Sequence, residues 1–238
     1  MIGWSAFWST RAWLSLSKVC RTEARLVGWV QEHLESIYGI CCPHRVHEYL
    51  IDETAARLLG ATCRSSEELL VHEEGDELWL GLYLAPELLE RFSRLSPVEM
   101  AEGLEKNLAA YCQVAEGISH FLYVVHTVSQ GRRVSLLELE TQAEIDKFAS
   151  CLLHRWNDRS ARWATELHRR LFDSVTFHSE LTSAEALRYA EANRLSRAYC
   201  SRLIPHVSSR RLDRLLADLR YAYRLGADAK LRHLANAA

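Results

Sequence analysis

Residues 104–153 place more constraint on the fold than any other part of the chain. Leu104, Leu108, Tyr111, Ala115, Ile118, Leu122 and Val125 recur at steps of three and four, the spacing that lines one face of an α-helix. From Ile118 onward the remaining faces also turn apolar, through Phe121, Tyr123, Val124 and Val128, so this end is expected to be covered on more than one side. Gly131 supplies a stop. Ser135 supplies the next N-cap, and Glu138, three residues on, completes a capping-box pattern. Two helices joined this closely are expected to form an antiparallel hairpin.

Each arm of that hairpin carries a polar pair one turn apart, Glu116 with His120 and Glu140 with Glu144. Counted outward from the connection, His120 and Glu144 lie at similar distances along the two arms. Three carboxylates and an imidazole suit a divalent metal or an acid–base site, so these four residues are the candidate metal ligands. Di-iron bundles repeat Glu and His three residues apart on a second hairpin, and this chain has a spacing of four and no second copy. The competing expectation is local hydrogen bonding, with Glu140 and Glu144 paired to Lys147 or to arginines.

Upstream, residues 22–38 fit a helix through Leu26, Trp29, Val30 and Leu34 that stops at Gly39. A short strand is expected from Val46 to Ile51. EELLVHEEGDELWLGLYL is expected to form a β-hairpin turning at Glu74, Gly75 and Asp76. Short helices are expected over Asp52 to Leu59 and from Pro86 to Leu95. The fold class is therefore α+β and predominantly α-helical, with a small antiparallel three-stranded sheet followed by a helical bundle. Residues 1–21 are expected to be an N-terminal tail, either disordered or ahead of the true start. Residues 22–95 form the α/β part, and residues 96–238 the bundle that shares its core.

Downstream of 153 the helical pattern continues through Trp156, Trp163, Leu167 and Leu171. Thr182 and Glu185 form a second capping box, opening a helix that ends near Pro205. Ser208 or Ser209 caps a last arm through Leu212, Leu215, Leu219 and Tyr223, before Gly226.

Charge divides the chain unevenly. Residues 1–150 hold 13 basic and 22 acidic residues, a balance of −9, whereas residues 151–238 hold 16 and 9, a balance of +7. The basic part is almost entirely arginine. Arg155, Arg159, Arg162, Arg169, Arg170, Arg210, Arg211 and Arg214 are the candidate partner-binding residues, because guanidinium groups make bidentate contacts to carboxylate or phosphate. Acidic residues are interspersed on the same helices, as on solvated faces, and no nucleic-acid recognition motif accompanies them.

Seven cysteines form no CxxC pair, and their odd number does not fit a disulfide framework; Cys112 and Cys151 are expected as small core residues. Cys41, Cys42, His44 and His47 offer four zinc-ligand types, but adjacent cysteines suit a tetrahedral site poorly. The Trp-rich opening lacks the features of a secretion signal, and no run of about 18 or more apolar residues could span a bilayer. Glycine-rich phosphate loops, GxSxG elbows and HExxH helices are absent. The leading expectation is a soluble protein of the bacterial cytoplasm, non-enzymatic, that interacts or regulates through charged helical faces, with a protein partner or its own copy. The alternatives are a metal-dependent or acid–base enzyme at the Glu/His cluster, and nucleic-acid binding through the arginine-rich helices.

Overall fold

The computed structural model describes the backbone of residues 9–12, 20–75, 77–93, 97–156, 161–173 and 181–236. It is mostly helical with one small sheet. Two compact units are distinguished, one within residues 3–36 and 40–133 and the other within 37–39 and 134–238.

The first unit is organised on a hairpin of β3 (Glu67–Glu74) and β4 (Glu77–Leu84), turned at Gly75 with φ +60. Glu67 pairs with Leu84 and Glu74 with Glu77, antiparallel throughout. The other edge of β4 receives two short parallel strands. These are β1 (Ser9–Ala12), along Glu77–Leu80, and β2 (Leu50–Ile51), along Leu82–Tyr83. The sheet is therefore four-stranded and mixed, which corrects the expectation of a three-stranded antiparallel one. Two and four residues are too short to show a two-residue period, so neither strand direction nor β1 itself was legible. The return from β2 to β4 runs through α2 (Glu53–Leu58), capped by Asp52, and through β3, and so leaves β2 running in the direction of β4.

As the central strand, β4 has Leu78, Leu80 and Leu82 fully inaccessible on one face, and on the other its C-terminal half is buried, with Tyr83 at 4%. On one face Ile51, Ala55, Ala56 and Tyr83 form a small cluster that Leu70 joins. The opposite face is covered by α4 (Pro97–Ser129), which is broken at Asn107 (φ −120, ψ 15). At Gly117 an added Cβ would lie 3.0 Å from Leu82 Cδ1 and 3.1 Å from Glu67 Oε2, so the missing side chain lets the helix settle onto the sheet. Around this core, α1 (Arg21–Tyr38) contributes Val27, Val30 and Leu34, and Trp29 meets the edge of Tyr111. The segment from Val46 is a 3₁₀ turn to Tyr49 rather than the start of a strand. The buried Gln31 explains it, since Oε1 accepts the Val46 N–H and removes that donor from any ladder. Pro86 opens α3 (Pro86–Ser93), as expected.

The second unit is helical. Ser135 caps α5 (Leu136–His154) and Thr182 caps α7 (Ser183–Ser208), both through complete capping boxes. These two helices lie along one another, and α6 (Ala161–Phe172) packs on α7 through Leu167 and Phe172. The helix does not run unbroken past 153, since Arg155 ends α5. α7 ends at Ser208, three residues past Pro205, with Leu203 and Val207 buried on either side of the proline. α8 (Leu212–Arg224) starts from Arg211 without a side-chain cap. Beyond Gly226 a further helix, α9 (Ala227–Ala235), was not foreseen.

Candidate functional site

Glu116 and His120 belong to the first unit, Glu140 and Glu144 to the second, and each pair is described with its own neighbours. His120 is 7% exposed, on the face of α4 that meets β3. Its Nδ1 lies 3.7 Å from Oε2 of Glu67, itself 9% exposed, and Glu116 sits one turn earlier on the helix. Carboxylate and imidazole so placed attract strongly whenever the ring is protonated, and both present ligand-type atoms in surroundings of low polarity. Glu67 was missed because a glutamate at the first position of a strand looks like an exposed strand end. Only the close seat of Gly117 on the sheet buries it.

In the second unit Glu144 accepts from Lys147 at 2.8 Å, the local pairing expected as the alternative to ligation. Glu140, 8% exposed, has Arg188 of α7 3.8 Å away. Further along α5 stands a set of buried polar groups with no counterpart among the expected sites. Gln142 Nε2 donates to Asp146 Oδ1 at 2.6 Å and to the Tyr38 hydroxyl at 3.0 Å. The Tyr38 hydroxyl donates to the same carboxylate, and Lys230 Nζ donates to Gln142 Oε1. Lys230 also stands 5.6 Å over the Tyr223 ring, which stacks on Tyr38 at 4.0 Å. Burial first, then the Asp146 carboxylate, raises the Tyr38 phenol far above its ordinary range. It is a neutral hydrogen-bond donor at any physiological pH.

The Cys41, Cys42, His44 and His47 cluster folds around other bonds. His44 Nδ1 meets the Tyr49 hydroxyl at 2.7 Å, and the Cys42 N–H donates to Glu35. Burial pushes the Cys42 thiol up to about 11, leaving it protonated near neutrality and a poor ligand or nucleophile. Burial likewise lowers His44. No three of these four residues bring ligand atoms within 4.8 Å of one another. Beside them Cys41, Cys42, Leu122 and His126 line a recess of about 30 Å³, room for a water or two and far less than a small-molecule site needs. All seven thiols are free, with Cys112 and Cys151 buried as expected.

The arginine candidates fall into two groups. On and beside α6, Arg169 makes a bidentate pair with Glu166 at 2.7 and 3.0 Å, and Arg155 lies 4.4 Å over Trp163. The hydrogen bond from Arg169 lowers the Glu166 carboxyl. Arg162 and Arg170 are exposed, and Arg159 lies outside the described residues. At the α7–α8 corner Arg210 (φ +55), Arg211 and Arg214 are all exposed, and Arg211 holds Asp213 at 3.2 Å.

Comparison with protein-family models, with curated proteins and with solved structures returns no match for this chain. No described helix is long and apolar enough to cross a membrane.

Proposed function

We propose that the chain is a non-enzymatic interaction or regulatory protein, assembled through the charged faces of its second unit with an acidic protein surface as the partner. The α7–α8 corner carries this reading. Three exposed guanidinium groups stand within five residues, against the single carboxylate of Asp213. On α6, by contrast, Arg169 already has a bidentate partner in Glu166. Exposed arginine without matching acid is costly only in self-repulsion, and it steers an acidic partner to the corner.

Light scattering across a salt series tests the reading, with the wild type set against Arg210→Glu/Arg214→Glu. Association that weakens as salt rises and disappears in the double variant is expected, because contacts between exposed charges fade once the Debye length falls below about 10 Å. A monomer that captures no partner at any salt counts against it. Strong retention on a polyanion column at physiological salt moves the assignment to nucleic acid.

A second reading, a metal-dependent or acid–base site, is favoured by the buried His120–Glu67 pair with Glu116 one turn away. Elemental analysis of protein purified without a metal-affinity tag tests it, paired with His120→Ala. Stoichiometric divalent metal, lost in the variant while the fold persists, promotes this reading over the first.

A further inference from the structure

The eight-residue strand β3 pairs with β4 on one edge, and among the described residues no strand pairs with the other. An uncovered edge of this length presents a row of backbone donors and acceptors to any extended chain. Both faces of the strand are backed. Glu67 points to α4, where its carboxylate lies 3.1 Å from the position of a Gly117 Cβ, so Leu69 and Val71 share that face by alternation. Leu70 packs in the cluster on the opposite face. A strand added at this edge therefore finds apolar neighbours on each side near its middle.

The ends differ. Near the start of β3, the Glu68 carboxylate is occupied, accepting the Cys63 N–H at 3.1 Å. At the far end Glu73 and Glu74 are exposed. These charges select the occupant. Antiparallel self-pairing keeps opposed residues on one face, so centred on Leu70 it would set Glu67 against Glu73 and centred on Val71 it would set Glu68 against Glu74; either way like charges are directly opposed, so a second copy of β3 is disfavoured. We infer that the free edge of β3 is a docking site for an extended segment of a partner protein, one bearing Lys or Arg beside Glu73 and Glu74 and β-branched residues beside Leu69 to Val71. This inference is independent of the arginine corner and stands or falls separately.

Fluorescence anisotropy with the full chain tests it, using the acetylated peptide Lys-Arg-Val-Thr-Val-Thr-Val and its charge-swapped form beginning Glu-Glu. The wild type is expected to bind the basic peptide saturably. Glu73→Lys/Glu74→Lys, both changes lying on exposed positions, is expected to bind it about tenfold more weakly and to prefer the charge-swapped peptide. N-methylation of one alternate set of peptide amides is expected to abolish binding while the other set is tolerated, which generic charge attraction does not produce. The inference is overturned by absence of binding to the wild type, by equal binding of both peptides, or by equal tolerance of both methylation patterns.

Discussion

Lys230, none of whose surface is exposed, donates to the side-chain carbonyl of Gln142, 88 residues earlier in the chain. Gln142 passes the interaction on, since its amide donates to Asp146, and the Tyr38 hydroxyl donates to the same carboxylate. A buried ammonium and a buried carboxylate are thus held in one connected set of bonds, with an amide between them. Removing either charge takes its opposite charge away from the other inside the same buried set of bonds.

Lys230→Met should therefore destabilise the second unit by about 3–5 kcal/mol, although methionine fills nearly the same volume. In that background Asp146→Asn should cost clearly less than it does in the wild type, because the attraction between the two charges is already lost. Urea denaturation of the four proteins of this cycle checks the coupling, and strict additivity would show that the two charges do not sense one another.

Alkaline pH should destabilise the protein through Tyr38. Its phenol is held above the ordinary value of 10.0 in the folded state, so the unfolded chain loses that proton first. The contribution is complete below pH 10 and declines as pH rises beyond it. Tyr38→Phe should flatten the decline in part, because other groups raised chiefly by burial, among them Tyr199, Tyr49, Cys200 and Cys42, still contribute. Thermal melting between pH 8 and about 11 measures both slopes.

Gln31→Met should loosen the segment that follows α1. The amide donates to the His44 carbonyl at 2.8 Å and to Glu35 at 2.9 Å, and it accepts from the Val46 N–H at 2.8 Å. Val46 is fully buried, so its N–H loses its acceptor at a cost of roughly 1–3 kcal/mol. Chemical denaturation reports the cost, and faster proteolysis within 41–46 locates it.

Gly39 closes α1 at φ +61, and the Arg220 guanidinium passes 3.4 Å from the place a Cβ would take. Arg220 Nε donates to the Ile37 carbonyl at 2.9 Å, satisfying a helix-end acceptor. Gly39→Ala should cost about 1–2 kcal/mol in melting experiments, and Gly39→Asn less, because asparagine tolerates the left-handed region better.

Legibility followed the range of each signal. The capping boxes at Ser135 and Thr182 lie within four residues of sequence, and both form as the pattern implied. The hairpin of β3 and β4 was equally plain, because eight-residue strands flank a glycine turn. β1 and β2 were not, since strands of four and two residues acquire their identity only from lying against β4. At the candidate sites Glu116, His120, Glu140 and Glu144 could be chosen by spacing, whereas Glu67 and Arg188, which the fold brings beside His120 and Glu140, could not. Lys230 was hidden for a further reason: a lone lysine on a nine-residue polar helix has the signature of a solvated residue.

By itself the sequence determined most of the helices, the two capping boxes, the long hairpin and the separation of charge, because each rests on side chains within a turn or two of one another or on composition alone. Only the tertiary structure decided the mixed order of the sheet, the depth of Glu67 beneath Gly117, and the enclosure of Lys230 with Gln142, Asp146 and Tyr38. Burial and partner choice depend on residues tens of positions apart, and no local period encodes which of them meet.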